Sequence, residues 1–153
     1  MFEVSLESEF INELSQESRS WLAKAIGVVI LADGQVDNEE LISLRAAISF
    51  LEDESEIVEL VTAVKSRSKL ELGRIDERMD RAATIYFYLA TVITINGRVT
   101  REEADLFKSI AGKLGLPPEY ARSVLQWASD VMKQNKQRNQ LIKAAKELRP
   151  QYY

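Results

Sequence analysis

Two stretches of this chain must end up inside whatever it folds into. Residues 20–32 read SWLAKAIGVVILA, and residues 81–95 read RAATIYFYLATVITI. A helix that is apolar round most of its circumference has to be buried. Both stretches contain β-branched runs that would suit buried strands. Their length, and the lack of hairpin turn signals beside them, favour helix instead. The expectation is two central helices that pack on each other. Neither crosses a membrane: the longest weakly polar run, residues 82–95, is fourteen residues broken by three threonines. A span needs about twenty apolar residues.

The rest of the chain reads as helices wrapped round these two. There are only 3 Pro and 6 Gly in 153 residues, so long stretches run without a breaker. One-sided stripes follow each apolar stretch: Leu41, Leu44, Ile48 and Leu51 after the first, Ala104, Phe107, Ile110, Ala111 and Leu114 after the second. Steps of three and four place such side chains on one helix face. Phe10, Ile11 and Leu14 predict a short N-terminal helix. Ile57, Leu60, Val61 and Val64 predict another, begun near Asp53 or Ser55. Gly115 closes the Phe107 helix, and Pro117-Pro118 open the next, since proline suits a first helical turn. That helix carries Tyr120, Val124, Leu125, Trp127, Val131 and Met132. Trp21, Tyr86, Phe87, Tyr88, Phe107 and Trp127 all stand in apolar helical contexts and are expected in the core. The fold class is all-α, one domain over residues 1–153.

Composition removes much of the usual chemistry. The chain has no Cys and no His. Disulfides, thiolate nucleophiles and Cys-ligated metals are therefore excluded, as are His-based triads and His-ligated metals. Carboxylate chemistry, oxygen-ligated cations and binding surfaces stay open. The net charge of −4 hides an asymmetry: residues 1–60 carry 14 acids and 3 bases, residues 61–153 carry 10 acids and 17 bases. The halves stand at −11 and +7, and they are expected to complement each other within the domain. The first residues, MFEVSLESEF, lack the basic start and apolar centre of a signal peptide. The expected location is the cytoplasm.

The two halves repeat. Residues 33–40 (DGQVDNEE) align with residues 96–103 (NGRVTREE) at an offset of 63, with Gly, Val, Glu and Glu identical. Each copy lies between an all-apolar helix and an amphipathic one. Gly34 and Gly97 suit the left-handed residue that ends a helix. Asp37 and Thr100 are good N-caps, and Glu40 and Glu103 stand three residues on, the spacing of a capping box. The pattern also looks like the second half of an EF-hand loop. Arithmetic rejects that: with Gly34 at the sixth loop position, the first and third fall on Val29 and Leu31, and in the second copy on Val92 and Thr94. The leading carboxylates are missing from both.

Two copies of an apolar helix ending in (D/N)-G-x-V-x-x-E-E, each followed by an amphipathic helix, resemble the TerB-like family associated with tellurite resistance. The likeness covers roughly residues 21–127. It implies a compact bundle of two pseudo-twofold-related helix-turn-helix repeats and a bacterial stress-related setting. It also implies a divalent cation, Ca²⁺ or Mg²⁺, at the acidic motif residues. In this chain those are Asp33, Asp37, Glu39, Glu40, Glu102 and Glu103. Asn96 and Thr100 replace two acids in the second copy, which lowers the negative charge of any joint site.

The expected role is a non-enzymatic module that works through protein–protein contacts. Glu39-Glu40 and Glu102-Glu103 are sequence neighbours on helix starts, and adjacent helical residues do not face each other. No Gly-rich phosphate loop is present. An Asp/Glu enzyme with a bound metal is the alternative. Residues 131–149 hold Lys133, Lys136, Arg138, Lys143, Lys146 and Arg149 against Glu147. Such a segment can meet nucleic acid or a membrane surface, and these are the weaker readings. Residues 134–140 are wholly polar, so the helix is expected to bend, loosen or project there. In the basic amphipathic segment 134–153, Leu141, Ala145 and Leu148 are expected to dock on the domain, with the bases facing solvent or the acidic half.

Overall fold

Both apolar stretches are helices, and they lie side by side at the centre of the molecule. The structure is a computed structural model describing residues 8–32, 34, 36–94 and 98–153. The first stretch is α2 (Gln16–Ala32) and the second is α5 (Met79–Ile93). Around them stand α1 (Ser8–Glu13), α3 (Asn38–Ala47), α4 (Glu54–Lys65), α6 (Arg101–Lys113) and α7 (Pro118–Ala144). A short 3₁₀ turn, Ala145–Glu147, follows α7, and no strand occurs among the described residues. α2 packs against α3, α4, α5 and α6, while α5 packs against α6 and α7 as well. After α1 the described helices follow in the order α2, α3, α4, then α5, α6, α7.

Burial follows the predicted stripes. Leu22 and Ile26 of α2 are fully buried, and so are Ile85 and Leu89, the residues 63 positions later in α5. Leu44 of α3 and Phe107 of α6 form another fully buried pair at the same offset, and Leu51 and Leu114 are buried just beyond these helices. Burying a large apolar side chain contributes about 1.5–3 kcal/mol, so these positions dominate the stability of the bundle. Tyr86 and Phe107 stack with ring centroids 4.0 Å apart and an interplanar angle of 12°. The Tyr86 hydroxyl donates to the Phe107 carbonyl at 2.8 Å, so the ring is buried with its polar atom satisfied. One aromatic departs from expectation. Trp127 is 43% exposed, its ring set edge-on to Phe87 with centroids 4.9 Å apart. It lies where α7 begins to leave the bundle, so the core covers only one side of the indole.

Residues 66–78 carry no helical period, yet they are tied down at several points. Leu72 and Ile75 are buried. The Trp21 indole donates to the Gly73 carbonyl at 2.7 Å, and the Ile75 amide donates to the Lys113 carbonyl at 3.0 Å. The segment thus straps α2 to the end of α6. Its last tie is the Ser18 hydroxyl, which donates to Glu77 Oε2 at 2.7 Å. Arg81 adds an ion pair with Glu77 at 3.6 Å. α2 approaches α4 and the strap at Gly27, where a Cβ would stand 3.1–3.3 Å from Leu70, Leu60 and Val64.

Two measurements check this frame. Gly34 has φ +77°, and a Cβ on it would meet no atom within 4 Å, so only backbone conformation resists a side chain there. Gly34→Ala should lower stability by about 1 kcal/mol in chemical denaturation. Burial raises the Glu77 carboxyl, but the bonds from Ser18 and the Arg78 amide, together with the Arg81 charge, outweigh it and hold its pKa below the ordinary 4.5. A carboxylate with a depressed folded pKa adds stability above its unfolded pKa and loses it as pH falls through the folded one. Stability of the parent should therefore fall below about pH 4.5, and Glu77→Gln should flatten that acid limb in melts taken against pH.

Candidate functional site

The described part of each repeated motif caps the helix that follows it. Asp37 is the N-cap of α3, and its Oδ1 accepts from the Glu40 amide at 2.8 Å. Thr100 is the N-cap of α6 in a full capping box: Thr100 Oγ1 accepts from the Glu103 amide at 3.1 Å, and Glu103 Oε1 accepts from the Thr100 amide at 3.1 Å. Glu103 is buried, and its carboxylate is compensated by that bond. Beside the first turn, Arg67 Nη2 donates to the Gly34 carbonyl at 2.7 Å. Arg67 itself has φ +56° and follows the C-cap of α4 in the left-handed conformation that ends a helix.

The six carboxylates expected to hold a cation are placed as follows. The Asp37 carboxylate caps α3 by accepting from the Glu40 amide, Glu103 lies in the α6 capping box, and Glu39 and Glu102 are exposed. Asp33 lies outside the described residues, as do Asn96 and Gly97 of the second turn. Among the described residues, no group of three or more acidic side chains stands together in a way that could hold a metal ion. Asp37→Ala and Thr100→Ala should each cost about 1 kcal/mol of stability. Melts run in chelator isolate this capping loss. Parallel melts in millimolar Ca²⁺ read any cation as an upward shift that Asp37→Ala removes.

The feature that stands out is at the other end of the chain. α7 runs unbroken from Pro118 to Ala144, through the wholly polar stretch, and every residue from 133 to 153 is exposed. The expected docking of Leu141, Ala145 and Leu148 does not occur: Leu141 is 65% and Leu148 72% exposed, and Ala145 is exposed with them. The physical reason is upstream. Ala121, Val124 and Ala128 are the buried residues of α7, and the polar run after Met132 gives the bundle nothing to hold. The helical residues 133–144, at about 1.5 Å each, carry the tip away from the body. Of the two settings expected for these bases, solvent or the acidic half, the described residues show the first. Among the described residues, none of Lys133, Lys136, Arg138, Lys143, Lys146 and Arg149 forms an ion pair.

No family model, curated protein or solved structure matches this chain. The reading of its function therefore rests on its own residues.

The polar run 134–140 is the sequence signal for projection, since a helix without an apolar face has nothing to dock. Sequence reasoning singled out neither Ile42 nor Val58, although both lie off the stripes that name the buried faces of α3 and α4. Both belong to apolar-rich helices, and the structure leaves them 70% and 47% exposed. Among the described residues no helix is long and apolar enough to cross a membrane.

Proposed function

We propose that this chain is a non-enzymatic, TerB-like helical module that acts by holding another protein on its projecting C-terminal arm, residues 131–153. The observation that carries the reading is the arm itself: a helical extension of a well-packed helix that presents Leu141, Ile142 and Leu148 to solvent among six bases. Exposed apolar side chains clustered on a charged element mark a contact surface. Support for the TerB-like part comes from the matched burial at the 63-residue offset and from N-caps at both Asp37 and Thr100. In this reading the halves are related by a pseudo-twofold, and the setting is the bacterial stress response the family resemblance implies. A divalent cation at the motif residues Asp33, Asp37, Glu39, Glu40, Glu102 and Glu103 is an accessory of the same reading, supported by the acidic repeat alone.

A photocrosslinker at Leu141 of the full chain, expressed in its native host, tests the arm. Protein adducts of discrete mass are expected there and not from the same probe at Ser123, near the opposite end of α7. Absence of any protein adduct overturns the reading. Deleting residues 134–153 should abolish the partner contact yet change stability by no more than about 0.5 kcal/mol, because fully exposed residues contribute little to the fold.

A further inference from the structure

The arm has its complement on the same molecule. α3 and α4 are joined by a short connection and pack together, with Arg45 paired to Glu54 across them. One turn away from that pair on each helix stand the exposed Ile42 and Val58. Around them the surface is acidic: residues 38–62 carry seven acids and one base, and that base is Arg45. Glu39 and Glu59 are exposed on these helices. The arm is the inverse, with six bases, one acid and its own exposed apolar residues. Of the nine large hydrophobic side chains left exposed among the described residues, five lie in residues 141–153 and two are Ile42 and Val58. Charge and apolar content thus match between two surfaces of one chain.

They do not meet within one copy. α7 packs on α5 and α6, continues as helix to Ala144, and carries residues 133–153 into solvent. We infer that the arm of one copy docks on the α3–α4 face of a second copy, head to tail. This deepens the proposed function and rests on its reading of the arm as a protein-contact surface. Leu141, Ile142 and Leu148 cover Ile42 and Val58, while Lys136, Lys143 and Lys146 stand against Glu39, Glu59 and their acidic neighbours. Opposed charges of this kind set register and encounter rate, and the apolar patch supplies the burial. A nucleic acid phosphate backbone would answer the bases but leave the apolar side chains in water. Any extended anionic surface would also repel a body whose first 60 residues stand at −11. The contact is heterologous, so it propagates to rings or short chains unless the rotation closes at two.

Sedimentation velocity on the full chain tests the inference. The weight-average mass should rise with concentration in low salt and return to that of one chain in high salt, where exposed pairs are screened. The arm-reversed variant K136E/K143E/K146E and the face-reversed variant E39K/E59K alter only exposed side chains, and circular dichroism melts confirm that each remains folded. Each alone should be monomeric. Mixed in equal amounts they should associate, because the mixture restores an arm and a face of opposite sign. A parent that is monomeric throughout, association that survives either reversal, or a mixture that stays monomeric overturns the inference. The Leu141 crosslink separates this failure from failure of the wider reading. Adducts with a different protein refute self-association and keep the arm as a protein contact. A monomeric parent whose arm binds phosphatidylglycerol vesicles or duplex DNA, with no protein adduct, overturns both.

Discussion

The packing of α2 on α5 is the contact on which everything else depends. Each helix is apolar round most of its surface, so neither is stable in water alone, and each supplies the other with a dry wall. Leu22 and Ile26 on one, and Ile85 and Leu89 on the other, are fully buried. The remaining helices need only one apolar stripe because the centre is already dry. This explains why α3, α4, α6 and α7 carry charge on their outer faces without unsettling the bundle. It also explains how Tyr86 can sit at the centre. Its hydroxyl finds the Phe107 carbonyl, and burial pushes its ionisation well above the ordinary tyrosine range.

A bundle assembled round two such helices still needs its ends fixed, and polar chemistry does that work. Asp37 and Thr100 supply the first bonds of α3 and α6. Gly115, at φ +80°, closes α6 with the Leu116 amide reaching back to the Ala111 carbonyl. The strap 66–78 then joins the two halves through Trp21, Ser18, Ile75 and Glu77. These contacts are local or single. They set geometry, while the core supplies most of the free energy. The motif carboxylates belong to this group as well: a short acidic motif at a helix start has a sufficient cause in capping, and any ligand role is added to it.

The arm is governed by the opposite condition. After Met132 the sequence offers eight polar residues in succession, so α7 continues as helix without a surface to lie on. A charged segment of this length was free to fold back on the acidic first half of the chain. The unbroken course of α7 is what prevents it. Charge complementarity left unused within one copy becomes available between copies, which links an intramolecular packing detail to the behaviour of the protein in solution.

Much of this was legible in the residues. The all-apolar stretches named the central helices, the steps of three and four named the faces of α3, α4 and α6, and the D-N-E-E and T-R-E-E runs named the caps. Those features are local: period, propensity and cap chemistry act within a few residues and are written in order along the chain. The strap carries no such signal, because Trp21 and Gly73 meet across 52 positions and nothing in either neighbourhood announces the other. The exposure of Trp127 was hidden for the same reason, since an apolar residue on a helix is buried only if another element arrives to cover it. The fate of the basic segment was decided last. Sequence supplied its charge and its apolar tip, but whether they turn inward or outward depends on where the final buried turn of α7 falls relative to the bundle's edge, and only the tertiary structure fixes that.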